Sequence, residues 1–69
     1  MCEAVVYVRR DCEDKEVMRD VTHVQPDGDT LVLCSLLGEQ KVVRGRITHL
    51  DFLKHTVVIE ETVGKPEKN

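Results

Sequence analysis

An all-β fold is what this sequence predicts, on three observations. Short runs of apolar residues alternate with polar ones, turn signals punctuate them at close intervals, and a glycine sits inside the longest run. Five such strands make a small open barrel, SH3-like or Sm-like in shape, because a sheet this short must curl to bury one face. Residues 1–61 are expected to form this barrel domain and residues 62–69 a flexible, disordered C-terminal tail.

The first strand is read over Cys2-Glu3-Ala4-Val5-Val6-Tyr7-Val8. Cys2, Ala4, Val6 and Val8 share one face, and Glu3, Tyr7 and Arg9 the other. Val5 makes that outer face partly apolar, so a partner is expected to cover it. A charged turn at Arg10-Asp11-Cys12-Glu13-Asp14 leads to a second strand over Glu16–Val24. The spacing of Val21 and Val24 breaks the period of two and predicts a bulge.

Pro26-Asp27-Gly28-Asp29 is a turn, since proline presets φ and glycine accepts a positive one. The third strand follows over Thr30–Ser35, the Leu37-Gly38-Glu39 turn next, and the fourth strand over Gln40–Phe52. Gly45 lies inside that strand and predicts the bend a barrel needs to turn a corner. Leu53-Lys54-His55 is the tip of a last hairpin, with His55 suited to a left-handed conformation. Thr56–Glu61 closes the sheet. Val6, Leu33, Ile47 and Val57 are expected in the core, as is Cys34 at the end of its apolar strand. From Thr62 the chain is polar and carries Gly64 and Pro66, too little apolar content to fold.

A chain of 69 residues is one domain with a small core. A core of this size supplies only about 3–5 kcal/mol, so a second subunit or a metal is the expected supplement. Three cysteines, Cys2, Cys12 and Cys34, leave one unpaired, and no leader-like apolar segment follows Met1. The expected compartment is therefore the reducing cytoplasm. No apolar run approaches the roughly 20 residues that span a bilayer. The formal net charge of −3 disfavours nucleic acid, whose phosphates are bound by clustered Lys and Arg. With one Tyr, one Phe and no Trp, the chain also lacks the stacking residues of an RNA-binding groove.

Chemistry concentrates at the start of the chain. Met1-Cys2 places a thiol beside an amino terminus, and a thiolate, its own amide nitrogen and a terminal amine can close five-membered chelate rings on one ion. Nitrogen and soft sulfur in one plane suit nickel(II) or copper(II) ahead of zinc, which prefers a tetrahedron. If Met1 is retained, its amine joins the Cys2 amide and sulfur; if it is removed, amine and thiolate both belong to Cys2. His23, His49 and His55 form no paired motif, Cys12 reads as an exposed loop thiol, and no nucleophile stands beside Asp20 or Asp51. The expectation is a binding protein without enzymatic activity.

The chain also resembles a known family almost end to end. Met1-Cys2 before the first strand, Val17-Met18-Arg19-Asp20-Val21, Leu36-Leu37-Gly38-Glu39, Gly45-Arg46-Ile47, Leu50-Asp51-Phe52-Leu53 and His55 with Val57-Val58-Ile59 are similar to the small nickel-binding CooT proteins. The resemblance implies a homodimer that holds one nickel(II) ion between its protomers through Cys2, possessing as client a nickel enzyme such as carbon monoxide dehydrogenase. Two Cys2 thiolates and two nitrogens would then make a plane on the two-fold axis. The competing expectation is an SH3-like or Sm-like module that binds RNA or a protein and carries Cys2 without using it.

Overall fold

The computed structural model describes residues 3–62. They form β1 (Ala4–Arg10), β2 (Glu13–Asp27), β3 (Thr30–Ser35), β4 (Gln40–Asp51) and β5 (Thr56–Glu61). Each strand pairs with its sequence neighbour in antiparallel fashion, and β1 pairs with β5 in parallel from Val5 opposite Thr56 to Arg9 opposite Glu60. The five-stranded all-β barrel predicted from sequence is present, and its ring of hydrogen bonds is closed rather than open. Closure satisfies strand edges that would otherwise template association.

Closure depends on two long strands that each serve two neighbours. β2 pairs with β1 through its first half and with β3 from Val21 to Asp27. β4 pairs with β3 from Gln40 to Arg44 and with β5 from Gly45 to Asp51. The hand-over in β2 is marked by Asp20 at φ 58° and by a register slip between Val21 and His23, where the broken periodicity predicts a bulge. In β4 the hand-over is at Gly45, whose missing side chain lets the Glu60 backbone approach.

The boundaries of β3 and β5 agree with the sequence reading, and β2 is longer at both ends. Asp11 and Cys12 take φ values of 54° and 66°, the paired positive values of a type I′ turn, whose twist matches the strands it joins. Arg10 therefore pairs directly with Glu13, and the segment read as a charged turn belongs mostly to the ladder.

The core is built from Val6, Val8, Met18, Val21, Leu31, Leu33, Val43, Val57 and Ile59. Two expectations are corrected. Ile47 is 37% exposed, because the bend at Gly45 and the slip between Ile47 and His49 break the inward alternation of β4. Cys34 is only half-buried: Leu31, Leu33 and Ser35 take the inward positions of β3, and strict alternation puts Cys34 on the outer side. The buried Ser35 is satisfied locally, its Oγ accepting from the amides of Leu37 and Glu39 at 3.2 and 3.1 Å.

Candidate metal centre

Met1 and Cys2, the ligands expected from sequence, lie outside the described residues, as does the tail beyond Thr62. The surroundings into which they lead are described. The Val5 amide donates to the His55 carbonyl at 2.9 Å, and Ala4 lies opposite Val21, so the chain enters β1 between β2 and the β4–β5 turn. Covalent geometry keeps the Cys2 Cα within about 7 Å of that of Ala4.

At this end of the barrel a cavity of about 240 Å³ opens, lined by Ala4, Val21, Leu50, Phe52, His55 and Val57 among others. Leu50 and Phe52 in its wall are 53% and 81% exposed, and Leu53, next along the turn, is 91% exposed. Three neighbouring apolar side chains are thus left in water at a turn tip. Sequence reading missed it as a surface, although a signal was there. Leu50-Asp51-Phe52-Leu53 places three apolar residues where a turn is ordinarily polar.

Asp51 builds this tip. Its Oδ1 accepts from the amides of Leu53 and Lys54 at 3.1 and 3.0 Å, so the carboxylate is committed to the turn. His55 follows at φ 56°, the left-handed conformation expected for it. The other two histidines are not part of the cavity lining. His23 meets the Thr22 hydroxyl at 3.0 Å through Nδ1, and His49 meets that of Thr48 at 3.3 Å.

Cys12 is exposed on the β1–β2 turn, and Cys34 receives a long contact of 3.7 Å from the Gln40 amide. Among the described residues no group of three or more His, Cys, Asp and Glu side chains could hold an ion. The structure thus brings His55 close to the start of β1, and sets His23 directly opposite Cys34 in the β2–β3 ladder. Nor is there, among the described residues, a helix long and apolar enough to cross a membrane.

Charge is organised on the outer surface, away from this cavity. Arg9 donates to Asp14 from Nε and a terminal nitrogen at 2.8 and 3.3 Å, and Arg19 grips Glu16 with two bonds of 2.8 Å. Hydrogen bonding to these guanidinium groups holds both carboxyls below their ordinary pKa values, and the charge of His49 adds a smaller effect at Asp14. Arg10 bonds Glu61 at 2.7 Å beside a second cavity, of about 370 Å³, at the opposite end of β1.

Comparison with known proteins agrees with this architecture. A crystal structure described as a CooT from Carboxydothermus hydrogenoformans superposes with a TM-score of 0.83, covering 90% of this chain and 100% of that one at 22% identity, which establishes the shared fold. An uncharacterized protein of Archaeoglobus fulgidus is 30% identical over 43 residues, 62% of this chain and 96% of its own. The family described as CO dehydrogenase accessory protein CooT matches residues 1–60, and the chain belongs to that family.

Proposed function

We propose that this accessory protein binds nickel(II) as a homodimer, with Cys2 and the nitrogen donors around it holding the ion where two copies meet. It carries the ion as cargo for a nickel enzyme such as carbon monoxide dehydrogenase, acts in the cytoplasm, and catalyses no reaction itself. One observation carries the reading: β1 begins at the edge of an uncovered apolar patch formed by Leu50, Phe52 and Leu53. A second copy seated on that patch would bring two Cys2 residues together, and a self-complementary contact around a two-fold axis is the commonest way for a small chain to associate.

The donor chemistry supports nickel. A thiolate with amine or amide nitrogens forms a planar set that suits a d8 ion. The carboxylate in the wall of the cavity at the start of β1, on Asp51, is already occupied by two backbone amides. One ion per two chains follows, since a single terminus supplies at most three donors.

The test is a nickel titration of the wild type and of Cys2→Ser, followed by thiolate-to-nickel charge-transfer absorption, with native mass spectrometry for stoichiometry. The expected result is one nickel per dimer, lost in Cys2→Ser while the fold persists. Unchanged binding by Cys2→Ser, or one nickel per monomer, overturns the reading.

A further inference from the structure

We infer that His23 and Cys34 form a copper(I) site on the outer face of the β2–β3 ladder, built entirely from described residues and independent of the amino terminus. Three observations carry it.

The first is placement. His23 and Cys34 stand directly opposite each other in the antiparallel pairing of β2 with β3. Residues paired in this way share one face of the sheet, with their Cβ atoms about 4.5–5.5 Å apart. That face is the outer one, because Leu33 and Ser35 take the buried positions on either side of Cys34, and Val24, next to His23, packs on the core. Bonds from one ion to a thiolate and to an imidazole are about 2.0–2.3 Å each, so two donors on opposite sides of an ion lie about 4 Å apart. A cross-strand pair is spaced for that gap.

The second is the bulge. Val21 stands opposite Ser35, so an unbroken ladder would set Thr22 opposite Cys34. The register slip between Val21 and His23 inserts Thr22 as an extra residue and brings His23 to Cys34 instead. Bulges re-aim side chains in just this manner beside functional sites. The hand-over from β1 to β3 requires a bend in β2; it does not require that an imidazole then face a thiol.

The third is the state of the donors. The Thr22 hydroxyl meets His23 at Nδ1, 3.0 Å away. With the Nδ1 proton given to that hydroxyl, the ring is oriented and Nε2 carries the lone pair. Among the described residues Nε2 makes no hydrogen bond, and the Cys34 sulfur has only the 3.7 Å contact from the Gln40 amide.

The donor count selects the ion. Zinc takes four ligands, and no group of three or more His, Cys, Asp and Glu side chains stands together among the described residues. Copper(I) is soft, accepts both thiolate and imidazole, and is stable with two ligands in a line. It replaces the thiol proton of Cys34, which is released to solvent as the ion binds.

The experiment uses the full chain carrying Cys2→Ser and Cys12→Ser, which leaves Cys34 as the only thiol of the three. This background is titrated with copper(I) under anaerobic, reducing conditions against a chromophoric copper(I) chelator, and the bound ion is examined by copper X-ray absorption. Cys34→Ser and His23→Gln are then added one at a time, with urea midpoints to confirm that each chain is folded. The expected result is one copper(I) per chain, two-coordinate with one sulfur and one imidazole nitrogen in the background itself, and binding at least about tenfold weaker once either residue is changed. No copper(I) binding by the background, a four-coordinate ion shared by two chains, or an affinity that survives either Cys34→Ser or His23→Gln would overturn the site. Because the background lacks Cys2, these outcomes are separate from the nickel reading, which stands or falls on Cys2→Ser titrated with nickel.

Discussion

Gly45 stands opposite Glu61 in the β4–β5 ladder, and the backbone of Glu60 lies so close to it that a Cβ on Gly45 would collide with the Glu60 carbonyl oxygen and stand 3.0 Å from Ile59 Cγ2. The first obstacle is backbone, which cannot swing aside as a side-chain end can. Ile59 is fully buried, so the second contact has no free space to yield into. Gly45→Ala should therefore destabilise the barrel by roughly 2–4 kcal/mol, well above the intrinsic gain from replacing glycine in a strand. Urea denaturation measures it, and a midpoint equal to that of the wild type would show that β4 and β5 can separate without cost.

Leu33 and Ile47 make a second, paired test. Leu33 is fully buried at the centre of β3, and Leu33→Ala should cost about 2–5 kcal/mol. Ile47 is 37% exposed, and Ile47→Ala should cost about 1 kcal/mol or less, since part of its surface is already in water. Equal losses at the two positions would contradict the inward place of Leu33 in β3 and the outward place of Ile47 in β4.

What was legible in the sequence follows from which signals are local. Alternation identified β3 and β5 to the residue, because both are short, straight and bounded by turn residues. Gly45 and the Val21 spacing disclosed the two bends. Ile47 was misplaced because alternation counted along β4 does not survive a bend and a register slip that only pairing with β5 reveals. Cys34 was misplaced for a different reason: its apolar neighbours suggested burial, while its parity put it outside. Closure of the ring was also hidden, since the parallel pairing of β1 with β5 joins segments about fifty residues apart and leaves no local trace. At the candidate centre, the thiol was evident from Met1-Cys2. The apolar rim and the placing of His55 beside Ala4 required the fold.

Acid should weaken the barrel through two carboxylates. Asp14 and Glu16 are held below their ordinary values by hydrogen bonds from Arg9 and Arg19. A depressed folded-state pKa means that the unfolded chain binds protons more readily. The stabilisation is thus complete above the unfolded values of about 3.9 and 4.3 and is lost as pH falls through the lower folded ones. Both pairs are exposed, so the effect is modest and shrinks in salt. Thermal melts between about pH 5 and about pH 2 should show a shallower acid limb for Asp14→Asn combined with Glu16→Gln than for the wild type. An identical limb would mean that these ion pairs carry no stability.

The apolar rim offers the most direct test of association. Phe52 and Leu53 are 81% and 91% exposed, so within one chain they bury little, and replacing them should change monomer stability by no more than about 0.5 kcal/mol. In a dimer built on this face the same side chains leave water, and a carboxylate at either position would be desolvated without a partner. Phe52→Glu with Leu53→Glu is therefore expected to yield a folded monomer by sedimentation, with nickel affinity reduced because the second terminus is no longer held nearby. Val42 provides the control: it is 63% exposed but lies beside Arg10 and Arg44 at the other end of β1. Val42→Lys should leave both association and nickel binding as they are. If Phe52→Glu with Leu53→Glu stays dimeric while Val42→Lys dissociates, the two copies meet at the Arg10 end instead, and the two Cys2 residues would be too far apart to share an ion.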